Sequence, residues 1–216
     1  AAGAGSGVTS YDPGLEGQVT KWYHACLLLH GPTAGQKGTL FENPDLKIAV
    51  YPMYQGHQAR LGLMFSNLGN ADISGFSVTA DSTEALQIQT LAAPPTQLRR
   101  MEDAKMQLSI ACMRPFLDSP VMTVAFASAG KQFSYALKLP VLATQFFEGV
   151  PLTKDVYMQR WKSLEGGDKE IQEIFTSLVT PLTPAVTAQI RSNVFANLHI
   201  ALAEGMDTDL TITGCG

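Results

Sequence analysis

The chain has 216 residues, of which 45% are hydrophobic and 16% are charged, and its formal net charge is −4. This length is sufficient for one large domain or two small ones, each with a packed core. The acidic balance argues against nucleic acid as the main partner, because phosphate binding requires a concentrated basic surface. No apolar run approaches the length of a membrane span.

Residues 1–25 are predicted to form a flexible linker or hinge. The segment Ala1–Gly7 contains only Ala, Gly and Ser, and Asp12-Pro13-Gly14 is a turn signal. The start of this sequence also lacks the basic and apolar regions of a signal peptide. We therefore expect this segment to tether the folded part of the chain to something upstream.

Residues 26–143 contain a series of short strands separated by turn signals. Apolar and polar residues alternate in several segments, and no helical periodicity interrupts them. This pattern predicts an antiparallel β-sandwich of immunoglobulin-like size, with most apolar side chains on its two inner faces. The alternating segments are Leu46–Tyr51, Arg60–Phe65, Phe76–Thr79, Met106–Ile110, Val121–Phe126 and Phe133–Leu139.

The periodicity changes in residues 144–216, which we predict to form a smaller platform subdomain of helices and sheet. Thr153 is a suitable N-cap for the first helix, which Gly166-Gly167 would end. The fold class is therefore α+β, with the sandwich followed by the platform. The predicted elements are helices over Lys154–Leu164, from Asp168 and from Pro184, and strands over Leu198–Leu202 and Leu210–Thr213.

The sequence contains no recognisable catalytic, cofactor or metal motif. It has no nucleophile elbow, phosphate loop or dinucleotide fingerprint. His24 and Cys26 are close together, but no second ligand pair accompanies them, and Glu170 and Glu173 are typical of a solvated helix face. With Cys112 and Cys215 also present, we favour three reduced thiols over one disulfide plus a free thiol. We expect no enzymatic activity, no cofactor and no metal.

The first platform helix carries the most informative candidate surface. Tyr157, Trp161 and Leu164 share one helical face at i, i+4 and i+7. Two interpretations remain open for them: they are core, or Val156 faces the core instead and the aromatic face is exposed. Gln159, Arg160 and Lys162 surround the Trp with hydrogen-bond donors and positive charge, a combination suited to short acidic-aromatic peptides.

Several segments, in order, resemble the appendage (ear) domain of alpha-adaptin, the alpha large subunit of the plasma-membrane clathrin adaptor. The resemblance extends from about Gly38 to the end of the chain. The segments are Gly38–Asn43, Phe65-Ser66-Asn67 with Phe76, Leu137–Pro140, Phe146-Phe147, Gln159–Leu164 and Glu170–Phe175.

The resemblance implies a non-catalytic domain that binds short linear motifs at a platform site. That site is centred on Trp161, with Arg160 and Gln159 beside it and Tyr157 nearby on the same helix. Met158 stands where the family has a Phe, and it can still pack against an aromatic ligand. The motifs implied are Asp-Pro-Phe and Phe-x-Asp-x-Phe.

The resemblance also implies a second site, on the sandwich, for Trp-x-x-Phe peptides. Its main aromatic corresponds to Met64, next to Phe65, Ser66 and Asn67, and a family Gln on the neighbouring strand corresponds to Asp103.

The partners implied are endocytic accessory proteins and the remainder of the heterotetrameric adaptor, without nucleic acid or membrane insertion. The location implied is cytoplasmic, at clathrin-coated pits on the plasma membrane. The family continues beyond the position of Gly216, so we expect the platform here to be C-terminally truncated. The alternatives are an immunoglobulin-like interaction module of other function, a structural ear that has lost its peptide pocket, and a hydrolase whose residues meet only in the fold.

Overall fold

Two five-stranded sheets make up the first part of the protein. The computed structural model describes residues 9–10, 38–164, 183–206 and 213–215, and the chain separates into two units, Ala1–Phe146 and Phe147–Gly216. The strands of the first unit are β1 (Thr9–Ser10), β2 (Gly38–Glu42), β3 (Leu46–Gln55), β4 (Gln58–Asn67), β5 (Ile73–Ala80), β6 (Leu86–Ala92), β7 (Gln97–Leu98), β8 (Asp103–Cys112), β9 (Val121–Ser128) and β10 (Lys131–Lys138).

The strand order is β2-β3-β4-β8-β6 in one sheet and β1-β10-β9-β5-β7 in the other. All described pairings within these two sheets are antiparallel except that of β1 with β10, which is parallel. The predicted sandwich is confirmed, and its strands lie where the alternation places them. The segment 86–92 also alternates in part, but we did not predict β6 from it.

A contiguous apolar core fills the space between the two sheets because the alternating strands turn every second side chain inward. Phe65 of β4 packs edge-on against Phe76 of β5, with ring centroids 5.1 Å apart, and so joins the sheets. Phe41 and Tyr135 make a second contact between the sheets, with tilted rings 4.7 Å apart, and the Tyr135 hydroxyl accepts a hydrogen bond from the Asn43 side-chain amide at 3.0 Å.

The predicted linker is partly structured, since Thr9 pairs with Phe133 and Ser10 with Ser134 at the edge of β10. The rest of the predicted linker, residues 1–8 and 11–25, lies outside the described residues, as does the start of the predicted sandwich, residues 26–37. His24 and Cys26 fall in this range.

A short 3-10 helix, Ala143–Phe146, ends the first unit. We predicted the boundary between residues 143 and 144, but the division lies after Phe146. The physical reason is that Phe146 packs on the sandwich, edge-on to Tyr54 at 5.2 Å and to Phe116 at 6.1 Å.

The second unit combines helices with a small sheet of strand order β11-β12-β13, in which β11 and β12 are parallel and β12 and β13 are antiparallel. Among the described residues, no helix is long and apolar enough to cross a membrane. The elements are β11 (Leu152–Thr153), α1 (Lys154–Ser163), α2 (Pro184–Leu198), β12 (Ala201–Glu204) and β13 (Gly214–Cys215).

Helix α1 begins directly after Thr153, as predicted, although the Thr153 side chain makes no capping hydrogen bond. Helix α2 begins at Pro184, and the Thr183 hydroxyl accepts a bond from the Val186 amide at 3.3 Å. The strand predicted over Leu198–Leu202 is wrong in its first half, because α2 continues through Leu198. The helix predicted from Asp168 and most of the strand predicted over Leu210–Thr213 lie outside the described residues.

Candidate functional site

Helix α1 presents its aromatic side chains to solvent. Tyr157 and Trp161, one turn apart, stack with ring centroids 6.0 Å apart and an interplanar angle of 15°. Trp161 is 48% exposed, and no residue of α1 is buried. The interpretation of Trp161 and Leu164 as core residues is therefore wrong. Val156, which we expected to face the core in the alternative, is exposed as well.

The remaining predicted platform residues surround this stack. Met158 is 37% exposed, and Gln159 and Arg160 are exposed polar residues on the same helix. Arg160 and Lys162 lie in the last turn, where positive charge also favours the helix dipole. The helix therefore offers an aromatic surface next to two cations, which is suited to an aromatic side chain and a nearby carboxylate.

Burial raises the pKa of the Tyr157 hydroxyl, and an electrostatic interaction with Cys215 of β13 raises it further.

The sandwich residues predicted as a second site divide between two faces of β4. Met64 and Ser66 are half-buried on the outer face, whereas Phe65 is fully buried and Asn67 is 1% exposed. This follows from the period of two in a strand, which sends adjacent side chains to opposite faces. Phe65 and Asn67 are therefore corrected to interior residues.

Asn67 connects two turns from the interior. Its amide nitrogen donates to the carbonyls of Ala71 (3.0 Å), Arg99 (3.1 Å) and Leu98 (3.3 Å), and its oxygen accepts from the Gly69 amide at 3.0 Å. These bonds add to the backbone hydrogen bonds that the Arg99 carbonyl accepts from Glu102 and that the Gly69 amide donates to Asp45. The role of Asn67 is to hold these turns together.

A pocket of about 540 Å³ lies on the outer face of β3, β4, β8 and β6. In the sheet register, Tyr51, Gly62 and Gln107 form one row across three strands, and Met64 pairs with Lys105 in the next row. Because Gly62 has no side chain, this row has a gap between the side chains of Tyr51 and Gln107. The pocket is lined by Tyr51, Gly62, Leu63, Met64, Ala92, Lys105, Met106 and Gln107.

The charges near this pocket follow the register. Asp103 is exposed and pairs across the sheet with Ser66, and Lys47 on the other side of Ser66 forms an ion pair with Glu42 at 2.7 Å. Lys105, by contrast, lines the pocket itself. The pocket therefore combines apolar walls with one cation and with the neutral amide of Gln107.

Sequence reasoning identified Met64 but missed Tyr51, Gly62, Lys105 and Gln107. One signal was available: an isolated Gly inside an alternating strand often marks a position that something else approaches closely. Tyr51, Lys105 and Gln107 lie on the outer face because successive side chains of a strand point to opposite faces. Their convergence depends on the strand order β3-β4-β8, which local sequence does not determine.

The described residues include no group of three or more His, Cys, Asp or Glu side chains suited to a metal ion. Both described cysteines, Cys112 and Cys215, are free thiols. Burial raises the pKa of the Cys112 thiol, and a hydrogen bond with the backbone of Arg114 only partly opposes this shift.

Sequence comparison relates the sandwich to a known family. Residues 36–140, which contain β2 to β10, match the model of the adaptin C-terminal domain. Residues 36–140 therefore belong to the adaptin C-terminal domain family. The chain is 32% identical over 141 residues to the AP-2 complex subunit alpha-2 of Dictyostelium discoideum, a match that covers 65% of this chain and 14% of that protein. It is 23% identical over 193 residues to the AP-2 complex subunit alpha-1 of Arabidopsis thaliana, which covers 89% of this chain and 18% of that protein.

The appendage resemblance inferred from the sequence is thus confirmed, and the chain spans less than a fifth of the length of these relatives. Among solved structures, the GAE domain of GGA2p from Saccharomyces cerevisiae aligns with a TM-score of 0.43 and 12% identity, covering 49% of this chain and 96% of that one. The yeast GGA1 GAE domain aligns with the same TM-score and 17% identity, covering 49% and 100%.

Proposed function

We propose that this chain is a clathrin-adaptor appendage that recruits endocytic accessory proteins by binding short linear motifs in their disordered tails. The platform motifs are Asp-Pro-Phe and Phe-x-Asp-x-Phe, and the sandwich motif is Trp-x-x-Phe. On this proposal the chain works as part of the heterotetrameric adaptor at coated pits, on the cytosolic face of the plasma membrane.

The observation that carries the proposal is the exposed Trp161 stacked on Tyr157 beside Arg160. A Trp that is 48% exposed on a helix with no buried residue contributes little to folding. Binding hot spots in protein interfaces are enriched in Trp, Tyr and Arg, because these side chains bury a large contact area. A Phe ring of the motif would pack on the Trp161 ring, and its acidic residue would approach Arg160.

The pocket around Gly62 supports a second motif site on the sandwich. Its gap between Tyr51 and Gln107 accepts one aromatic ring of a peptide, with the Met64 thioether as a soft wall. Lys105 supplies a cation for an acidic residue of that peptide. Of the residues predicted from the sequence, Met64 lines this pocket, whereas Ser66 and Asp103 pair with each other outside its lining. Phe65 and Asn67 support the strand from inside.

The proposed mechanism relies on avidity. A short peptide buries little surface and loses conformational entropy on binding, so a single motif binds at micromolar or weaker affinity. Several motifs on one tail, and several adaptors in one coat, raise the effective concentration and strengthen attachment without further contacts. Two separate motif sites on one appendage act in the same way.

The experiment is an NMR titration of the whole chain with a peptide that contains Phe-x-Asp-x-Phe and Asp-Pro-Phe. We expect saturable shifts of the Trp161 indole and of Tyr157, with no shift when the peptide's Phe residues are replaced by Ala. A parallel titration with a Trp-x-x-Phe peptide is expected to shift Met64, Gly62 and Lys105 instead.

Each alternative predicts a different result. Absence of shifts from either peptide in a folded chain contradicts motif recruitment and favours a structural ear. Binding that shifts neither Trp161 nor Gly62 favours an interaction module of other function. Turnover of a substrate at a polar cleft would favour a hydrolase.

A further inference from the structure

The free edge of β6 is closed by hydroxyl groups of the preceding turn. Among the described strands, β6 is the outermost of its sheet and pairs only with β8. The Ile88 amide donates to the Ser82 hydroxyl at 2.8 Å, and that hydroxyl donates to the Ile88 carbonyl at 3.2 Å. One serine side chain therefore satisfies both backbone groups of Ile88.

Thr83 makes a similar pair of hydrogen bonds with Leu86. The Leu86 amide donates to the Thr83 hydroxyl at 3.0 Å, and the Thr83 amide donates to the Leu86 carbonyl at 2.9 Å. In an antiparallel pair, alternate residues turn their backbone groups away from the partner strand. In β6, Leu86 and Ile88 turn their backbone groups away from β8. We call the two residues that bind these groups, Ser82 and Thr83, the edge clasp.

The composition of β6 makes such a closure necessary. Its sequence, Leu-Gln-Ile-Gln-Thr-Leu-Ala, carries no charge, and natural edge strands commonly use Lys, Pro or a bulge to prevent pairing with another chain. The second half of β6 has these devices: the pairing with β8 is irregular between Thr90 and Ala92, and Pro94-Pro95 follow. The first half of β6 has no Lys, Pro or bulge, so only the edge clasp protects it.

We propose that the edge clasp keeps the appendage monomeric, and that an open β6 edge pairs with β6 of a second copy of this chain. Two antiparallel copies of a neutral strand bring no like charges together, and such a contact is self-complementary about a two-fold axis. The inference is independent of the proposed motif binding, because neither Ser82 nor Thr83 lines the pocket. Both clasp residues are exposed, so the clasp opens without disturbing the core.

The test compares the whole chain with a Ser82→Ala/Thr83→Ala variant, using amide hydrogen exchange and sedimentation velocity. We expect the Leu86 and Ile88 amides of the variant to exchange at least about tenfold faster when it is dilute. When it is concentrated, we expect reversible dimerisation that the wild type does not show. Thr79→Ala, which removes an exposed hydroxyl from β5 of the other sheet, is the matched control.

A third variant separates opening of the edge from association. Adding Gln89→Lys to the clasp variant places a positive charge on each strand of a β6–β6 pair, so we expect a monomer that still exchanges rapidly. Unchanged exchange at Leu86 and Ile88 in the clasp variant would show that the clasp does not close the edge. A clasp variant that stays monomeric at every concentration, or dimers that Gln89→Lys leaves intact, would overturn the proposed partner.

Discussion

The two candidate peptide surfaces, the pocket on the sandwich and the aromatic face of helix α1, are supported in different ways. On β4, each exposed residue is next to a buried one, so Met64 at the pocket lies between the interior residues Leu63 and Phe65. On α1, no residue is buried, and Trp161 stacks on Tyr157 rather than on a core. The strand pocket is therefore tied to fold stability, whereas the helix surface is independent of it.

This difference decides what a substitution can teach at each surface. A change on the sandwich affects peptide binding, stability or both, according to which face of the strand carries it. A change on α1 affects binding with little effect on folding, because surface substitutions of this kind usually alter stability by no more than about 0.5 kcal/mol.

The largest expected effect is on stability, for Phe65→Ala. The ring is fully buried and packs on Phe76, so truncation leaves a cavity between the sheets and costs about 3–5 kcal/mol of unfolding free energy. The neighbouring Met64→Ala is the control, with an expected cost below about 1.5 kcal/mol and weaker binding of the Trp-x-x-Phe peptide. Urea denaturation measures both. Equal costs would contradict the assignment of these residues to opposite faces.

Asn67→Ala is expected to cost somewhat less, roughly 1–3 kcal/mol, because it removes the side-chain donor from the buried carbonyl of Leu98 and from that of Ala71. Asn70→Ala, an exposed change in the same turn, is expected to have almost no effect. Denaturation midpoints distinguish the two, and affinity for the Trp-x-x-Phe peptide stays unchanged in the folded fraction. A variant of normal stability that no longer binds that peptide would return Asn67 to the binding site.

These residues also show how far the sequence could predict the molecule. Alternation located the strands and hence the sandwich, because burial of one face requires a period of two. The same alternation separates Met64 from Phe65, yet the family resemblance grouped Met64 to Asn67 as one continuous segment. A resemblance locates a site along the chain, and the pleat of the strand determines which of its residues are exposed.

Other features depended on contacts that no local pattern contains. The pocket brings Tyr51, Gly62 and Gln107 together from three strands whose order follows from long-range pairing. Phe146 belongs to the sandwich because it meets Tyr54, far away in the sequence. On α1, the spacing of Tyr157 and Trp161 predicted one shared face, but their exposure depends on what the rest of the second unit covers.

Trp161→Ala is the decisive change on the helix surface. We expect at least about a tenfold loss of affinity for the Phe-x-Asp-x-Phe peptide, equivalent to about 1.4 kcal/mol, with the unfolding free energy unchanged within about 0.5 kcal/mol. Isothermal calorimetry and urea denaturation measure these quantities. Lys154→Ala, at the exposed start of the same helix, is expected to leave both unchanged. Unfolding of the Trp161 variant would show that this ring supports the fold after all.

The smallest effect is expected from filling the sandwich pocket with Gly62→Val. A Cβ added at Gly62 would lie 3.6 Å from the Tyr51 Cβ and the Tyr51 carbonyl oxygen, which is ordinary van der Waals contact. A β-branched residue also suits a strand, so the variant should be at least as stable as the wild type. The new side chain would occupy the gap between Tyr51 and Gln107, where we place an aromatic ring of the peptide.

We therefore expect Gly62→Val to weaken binding of the Trp-x-x-Phe peptide by about three- to tenfold, since the added side chain keeps the aromatic ring out of the gap but the flanking walls remain. Binding of the Phe-x-Asp-x-Phe peptide at α1 should not change. Ser66→Val is the matched control, because it adds the same side chain to the same face of β4 outside the pocket lining. Equal losses for both variants would mean that the peptide lies across the whole outer face, and no loss for Gly62→Val would place its aromatic ring elsewhere.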